Sequence, residues 1–151
     1  DVYKRQTINT PSMICVEDFL DVLHWSKEIG GLKELIKRSK NNLNVIKDWV
    51  FSSDWVDFLC EDLNNLSNTS ICLKLIDPKL VNQSLETKNL IEKNIINLLE
   101  ENNVAFDIGS YRSAPPGLRI WGGPTVQNED IKKLLPWLDW AYHKSLNDLN
   151  I

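Results

Sequence analysis

The apolar residues of this chain change their spacing partway along, and that change limits the fold more than any other feature of the sequence. Val16, Phe19, Leu20 and Leu23 recur at helical intervals. Ser12 is the expected N-cap of this first helix, and Glu17 and Asp18 suit the positive end of its dipole. Gly30-Gly31 should end it. Leu32, Leu35, Ile36, Leu43, Ile46 and Val50 mark the inner face of a second helix, which runs to about Ser52. The Lys and Asn residues between them form its solvated side. The period then drops. Trp55 to Leu59 is short and apolar, and Glu61 to Asn68 is a polar loop. Thr69 to Ile76 alternates and is rich in branched residues, the pattern of a strand, and Asp77-Pro78 ends it.

The helical spacing returns at Leu85, Leu90, Ile91, Ile95, Leu98 and Leu99. Val104 to Ile108 is expected as a short strand. Pro115-Pro116-Gly117 is a turn in which Pro116 presets φ and Gly117 accepts a positive one. Leu118 to Trp121 is a further strand, closed by Gly122-Gly123-Pro124. Asn128, Glu129 and Asp130 open a last helix, with Ile131, Leu134, Leu135, Leu138 and Tyr142 inside. The predicted order is helix, helix, strand, strand, helix, strand, strand, helix. That is an α+β layer, with helices packed on a small, mostly antiparallel sheet.

Composition narrows the function classes. The 151 residues carry 17 Lys and Arg against 21 Asp and Glu, a formal charge of −4, which argues against nucleic acid as the main partner. No apolar run approaches the roughly 18 residues of a membrane span. Cys15, Cys60 and Cys72 are too few and too far apart for a disulfide framework or a zinc knuckle, and read as buried thiols. No apolar stretch near residue 1 resembles a secretory signal, so the cytoplasm is the expected compartment. His24 and His143 lie far apart in predicted helices, and no metal site is expected.

The stretch from Tyr111 to Trp121 carries the most unusual chemistry. Arg112 and Arg119 flank the rigid turn, and Arg119 sits between the apolar Leu118 and Ile120. A fixed guanidinium fork on a rigid element suits bidentate capture of a carboxylate or phosphate. An edge strand whose arginine points at water would give the same spacing, and the two readings balance. Asn9-Thr10-Pro11-Ser12 offers amide and hydroxyl donors ahead of a helix, where an anion can sit; plain N-capping explains the same residues. The hydroxyls of Ser67, Thr69 and Ser70 need no ligand. The six tryptophans read as core or interface anchors. No catalytic triad or phosphate-cradling glycine loop is present, and the scattered carboxylates single out no acid–base pair.

Several blocks together resemble the C-terminal part of the phosphoserine aminotransferase family. They are TINTPSM, WSKEIGG, SNTSICLKLIDP, LLPWLDWAY and above all YRSAPPGLRIWGG. The resemblance is to a bacterial branch with an APPGLRIW signature, and it runs from about Thr7 to His143. It implies an aspartate-aminotransferase-like fold, pyridoxal 5′-phosphate as cofactor and a homodimer. It also implies transfer of an amino group between L-glutamate and 3-phosphohydroxypyruvate, giving O-phospho-L-serine. The chain would then be a fragment. Residues 1–11 would end the connection from a large cofactor-binding domain that this chain lacks, with 1–6 (DVYKRQ) foreign sequence. Residues 12–151 would form the small domain. Residue by residue, the resemblance makes Arg119 the grip on the substrate α-carboxylate and places Arg112 near the distal phosphate or γ-carboxylate. Tyr111 falls where other branches carry a histidine beside that arginine, and is a further candidate for substrate binding. Asn9 and Thr10 match a pair that reaches the cofactor phosphate of the partner subunit. The Schiff-base lysine precedes the NTP block in the family; Lys4 lies in the mismatched segment and is not assigned that role, so the fragment alone is expected to be inactive. Two other readings remain: a related aminotransferase of another small amino acid, and a non-enzymatic α+β interaction module.

Overall fold

A computed structural model of the chain describes residues 9–111 and 113–151. The elements, in order, are α1 (Met13–Glu28), α2 (Gly31–Ser52), β1 (Val56–Phe58), β2 (Ser70–Leu75), α3 (Leu85–Glu101), β3 (Gly117–Trp121) and α4 (Asn128–Leu149). Single 3₁₀ turns lie at Leu63–Asn65 and Pro78–Leu80. The chain divides into one unit that ends at Ile36 and a second, Lys37–Ile151, with the boundary inside α2.

In the first unit α1 stops where Gly30 and Gly31 take φ of +115° and +69°, values that only glycine adopts freely. The helix is present as predicted, but two details differ. Ser12 stands at the N-cap without a side-chain cap bond, and no acidic residue falls in the first turn. The helix has no buried residue, and Met13, Ile14, Phe19 and Val22 are well exposed.

The second unit holds the sheet and the core. The strands run in the order β1-β2-β3, each pair antiparallel. Phe58 lies opposite Leu73, Ile71 opposite Ile120, and Leu73 opposite Leu118. Alternation along the pleat therefore gathers Val56, Phe58, Ile71, Leu73, Leu118 and Ile120 on one face, and all six are buried. They join one cluster with Leu43, Ile46 and Val50 of α2, Ile91, Ile95 and Leu99 of α3, and Ile131, Leu138, Ala141 and Tyr142 of α4. The opposite face carries Asp57, Ser70, Cys72, Lys74, Arg119 and Trp121, and none of these is fully buried.

Four expectations are corrected here. Val104 to Ile108 is not a strand. Asn103 and Asp107 take φ of +54° and +53°, which breaks the extended backbone, and only an isolated bridge from Gly109 to Leu118 remains. Among the described residues the sheet thus has three strands, not four. In α2, Leu32 and Ile36 are exposed, whereas Asn42, assigned to the solvated side, is buried. Its amide donates to the carbonyls of Gly122, Gly123 and Val126 at 3.2, 3.3 and 3.0 Å, which offsets the cost of burial. The cysteines are not buried: Cys15 is exposed and Cys60 and Cys72 are half-buried.

The tryptophans divide between core and surface. Trp55 is buried and stacks on Tyr142 with ring centroids 4.2 Å apart and planes 6° from parallel. The indole N–H groups of Trp49 and Trp55 both donate to the Asp139 carboxylate. Trp121, Trp137 and Trp140 are exposed. His24 and His143 are exposed on α1 and α4, and no metal-binding cluster occurs among the described residues. None of the described helices is long and apolar enough to cross a membrane.

Candidate carboxylate site on the open sheet face

Arg119 is the third residue of β3, directly opposite Cys72. Its neighbours Leu118 and Ile120 turn into the core, so the pleat sends the arginine to the other face. The strand is seated from both sides. Arg119 N–H donates to the Ile108 carbonyl at 2.7 Å, while β2 pairs along the other edge. Gly117, where β3 begins, is needed for a different reason from the one its sequence suggests. Its φ is not positive; a β-carbon there would instead collide with the Leu73 carbonyl oxygen.

The loop before β3 is fastened by a residue that sequence reasoning passed over. Glu92 of α3 is buried, and its carboxylate accepts from Ser110 N–H at 2.8 Å, Ser110 Oγ at 2.7 Å and Gly117 N–H at 3.3 Å. Three donors satisfy a carboxylate held away from water. They tie the two ends of the loop to one helix. The signal was available in the spacing: Glu92 falls on the same stripe as Ile95 and Leu99.

The guanidinium of Arg119 is partly exposed and its donors are unequally used. Nη1 donates to Tyr111 Oη at 3.2 Å, and the group lies over the Tyr111 ring, 4.4 Å from its centroid. Nη2 donates to Asp107 Oδ2 at 3.1 Å and to the Asp107 carbonyl at 3.4 Å. Nε is buried with no hydrogen-bond partner among the described residues. This orients a planar fork, a group suited to a bidentate oxyanion. An open cavity of about 410 Å³ adjoins it, lined by Ser70, Asp107, Arg119, Trp121, Asp130 and Leu134 among others.

The structure thus brings Tyr111 and Arg119 together. Arg112 lies outside the described residues. Asn9 and Thr10 are exposed, immediately ahead of α1, and belong to the first unit.

Comparison with known proteins gives the class of the fold. The chain superposes on a phosphoserine aminotransferase from Bacillus circulans subsp. alkalophilus with a TM-score of 0.71 at 23% identity, over 90% of this chain and 34% of that one. A second structure, of radiation damage to the Schiff base in phosphoserine aminotransferase, matches with the same TM-score at 17% identity, over 90% of this chain and 35% of that one. The fold is that of a part of an aspartate-aminotransferase-like protein. In sequence the chain is 44% identical over 142 residues to the phosphoserine aminotransferase of Methanosarcina mazei. It is 45% identical over 144 residues to that of Methanosarcina barkeri. Each match takes in 94% of this chain, which spans 36% of the length of either relative. No family model matches the chain.

Proposed function

We propose that the chain is the small C-terminal domain of a phosphoserine aminotransferase. Its part in the reaction is to hold the substrate by its carboxylate while an amino group passes between L-glutamate and 3-phosphohydroxypyruvate. The observation that supports this most is Arg119, a partly exposed guanidinium set on a seated strand and oriented by Tyr111 and Asp107. A rigid clamp of this kind fixes the position of the reacting carbon, which lowers the entropic part of the barrier. On the same reading the Ala114–Trp121 block marks a branch of the family, and Arg112 meets the distal phosphate or the γ-carboxylate. Tyr111 holds the Arg119 plane from one side.

The donor chemistry also fits pyridoxal 5′-phosphate. Asn9 and Thr10 are exposed neutral donors ahead of α1, and the Ser12 hydroxyl is not taken up by a helix cap. They would hold the cofactor phosphate of a partner subunit in a homodimer. The cofactor, when bound, supplies the electron sink that moves the amino group. Its lysine and the rest of its pocket belong to a large domain upstream of residue 12, and the cytoplasm is the compartment proposed for the whole enzyme. The loss of Asn9 and Thr10 side chains should weaken cofactor retention and leave the melting point of the apo form unchanged; a lowered apo melting point with normal retention would leave only a structural role.

The test is the reaction itself. The longer protein that carries this chain should convert 3-phosphohydroxypyruvate and glutamate to phosphoserine and 2-oxoglutarate. The isolated chain, given pyridoxal phosphate and borohydride, should give no stoichiometric adduct on a single lysine. Transamination of small amino acids without use of phosphorylated substrates would point to a related aminotransferase. No transamination at all by the longer protein would point to an interaction module.

A further inference from the structure

The chain supplies its own carboxylate to Arg119. Among the described residues Asp107 is the one acid within ion-pair distance, and both of its contacts fall on Nη2. A guanidinium grips a carboxylate in a bidentate way along either of two edges, Nη1 with Nη2 or Nε with Nη2. Both edges need Nη2. Asp107 therefore stands on the nitrogen that every bidentate ligand must use. Of the other two nitrogens, Nη1 donates to Tyr111, and Nε is buried with no partner among the described residues.

We propose that Asp107 is an internal competitor for Arg119, a specificity-determining residue that an incoming carboxylate displaces. This rests on the reading of Arg119 as a carboxylate clamp. The pair is built to open. The Asp107 side chain is 92% exposed and that of Arg119 only 23%, so the aspartate returns to water easily while the arginine stays in place. Asp107 comes from a residue with φ of +53°, in the irregular segment between α3 and β3. A ligand that touches Nη2 alone gains nothing over Asp107. A carboxylate that also engages Nη1 does gain, so the competitor favours ligands that use both Nη1 and Nη2.

The test uses the longer enzyme and glutarate, which carries the two carboxylates of glutamate but no amino group to react. Asp107→Asn is nearly isosteric, and Asn accepts a positive φ; Asp107→Gly accepts it too and serves as the second variant. Both should bind glutarate about two- to fivefold more tightly than wild type, the range that an exposed ion pair carries. The gap should narrow as salt is raised, because exposed charges are screened. In an Arg119→Gln background the gain should vanish. Unchanged or weaker glutarate binding in both Asp107 variants, with binding still lost in Arg119→Gln, would overturn the competitor and leave the clamp standing. Wild-type glutarate binding by Arg119→Gln would remove the clamp reading and the competitor with it.

Discussion

Glu92 shows how much the setting of Arg119 depends on a residue outside the guanidinium's own contacts. Its carboxylate accepts from both polar groups of Ser110 and from Gly117 N–H, so its removal strands three donors around the loop that leads to Arg119. Glu92→Ala should destabilise the chain by about 1–3 kcal/mol, the cost of unsatisfied buried donors, and Glu92→Gln by less. Urea denaturation of the two variants checks this; equal stability to wild type would mean that the loop holds without the staple. In the sequence Glu92 passes for one more charge on a helix, since a charged residue on a helix usually faces water. Arg119 was legible because it interrupts an apolar strand beside a rigid turn. Its partner Tyr111 was legible only as a neighbour in sequence, and Asp107 not at all. Contacts across the 12 residues from Asp107 to Arg119 depend on how the loop returns, which no local pattern encodes.

At the scale of elements, the helices were readable because their apolar stripes are long and repeat several times. The strand expected from Val104 to Ile108 failed on its backbone. Five apolar-rich residues resemble a strand, but the left-handed turns at Asn103 and Asp107 prevent pairing beyond one bridge. Gly117 carries the opposite lesson: a turn motif explained its identity by conformation, whereas the close approach of β2 explains it by space. Gly117→Ala should force β2 and β3 apart, at a cost of about 1–3 kcal/mol or more, and weaken carboxylate binding with it. Gly31→Ala, with φ of +69° but open surroundings, should cost roughly 1–2 kcal/mol by strain alone and leave β3 paired. Hydrogen exchange of the β3 amides separates the two. Equal protection of those amides in both variants would contradict the steric account.

At the scale of the whole molecule, the core of the second unit is joined by side chains from distant parts of the sequence. Tyr142 of α4 stacks on Trp55 and donates its hydroxyl to Asp77 Oδ2 at 2.6 Å. Burial, followed by the hydrogen bond and charge of Asp77 and the charge of Asp54, holds the phenol well above its ordinary range. A raised folded-state value means that stability is fully present below the unfolded tyrosine's pKa near 10 and declines as pH rises above it. The decline approaches about 1.4 kcal/mol per pH unit for this one group. Tyr142→Phe should lower stability at neutral pH yet flatten that alkaline decline. Melting curves from pH 8 to 11 check this, and parallel curves for the two proteins would contradict it. The α+β class, the antiparallel sheet and the main helices could be read from spacing. The function could not: spacing left Arg119 balanced between a clamp and a solvated edge residue, and the family resemblance supplied the substrate and cofactor.

On the proposed reading Arg119 grips a substrate carboxylate through the geometry of its fork and not through charge alone. Arg119→Lys in the longer enzyme tests it most directly, because lysine keeps the charge and loses the planar pair of donors. Lys144→Ala is the control; Lys144 is paired with Asp148 at 2.7 Å on the exposed side of α4, where such pairs contribute about 0.5 kcal/mol. kcat/KM for glutamate and 3-phosphohydroxypyruvate should fall about ten- to a hundredfold in Arg119→Lys, as the loss of a charged hydrogen bond requires. Lys144→Ala should stay near wild type. Wild-type kinetics in Arg119→Lys, or an equal loss in both variants, would contradict it.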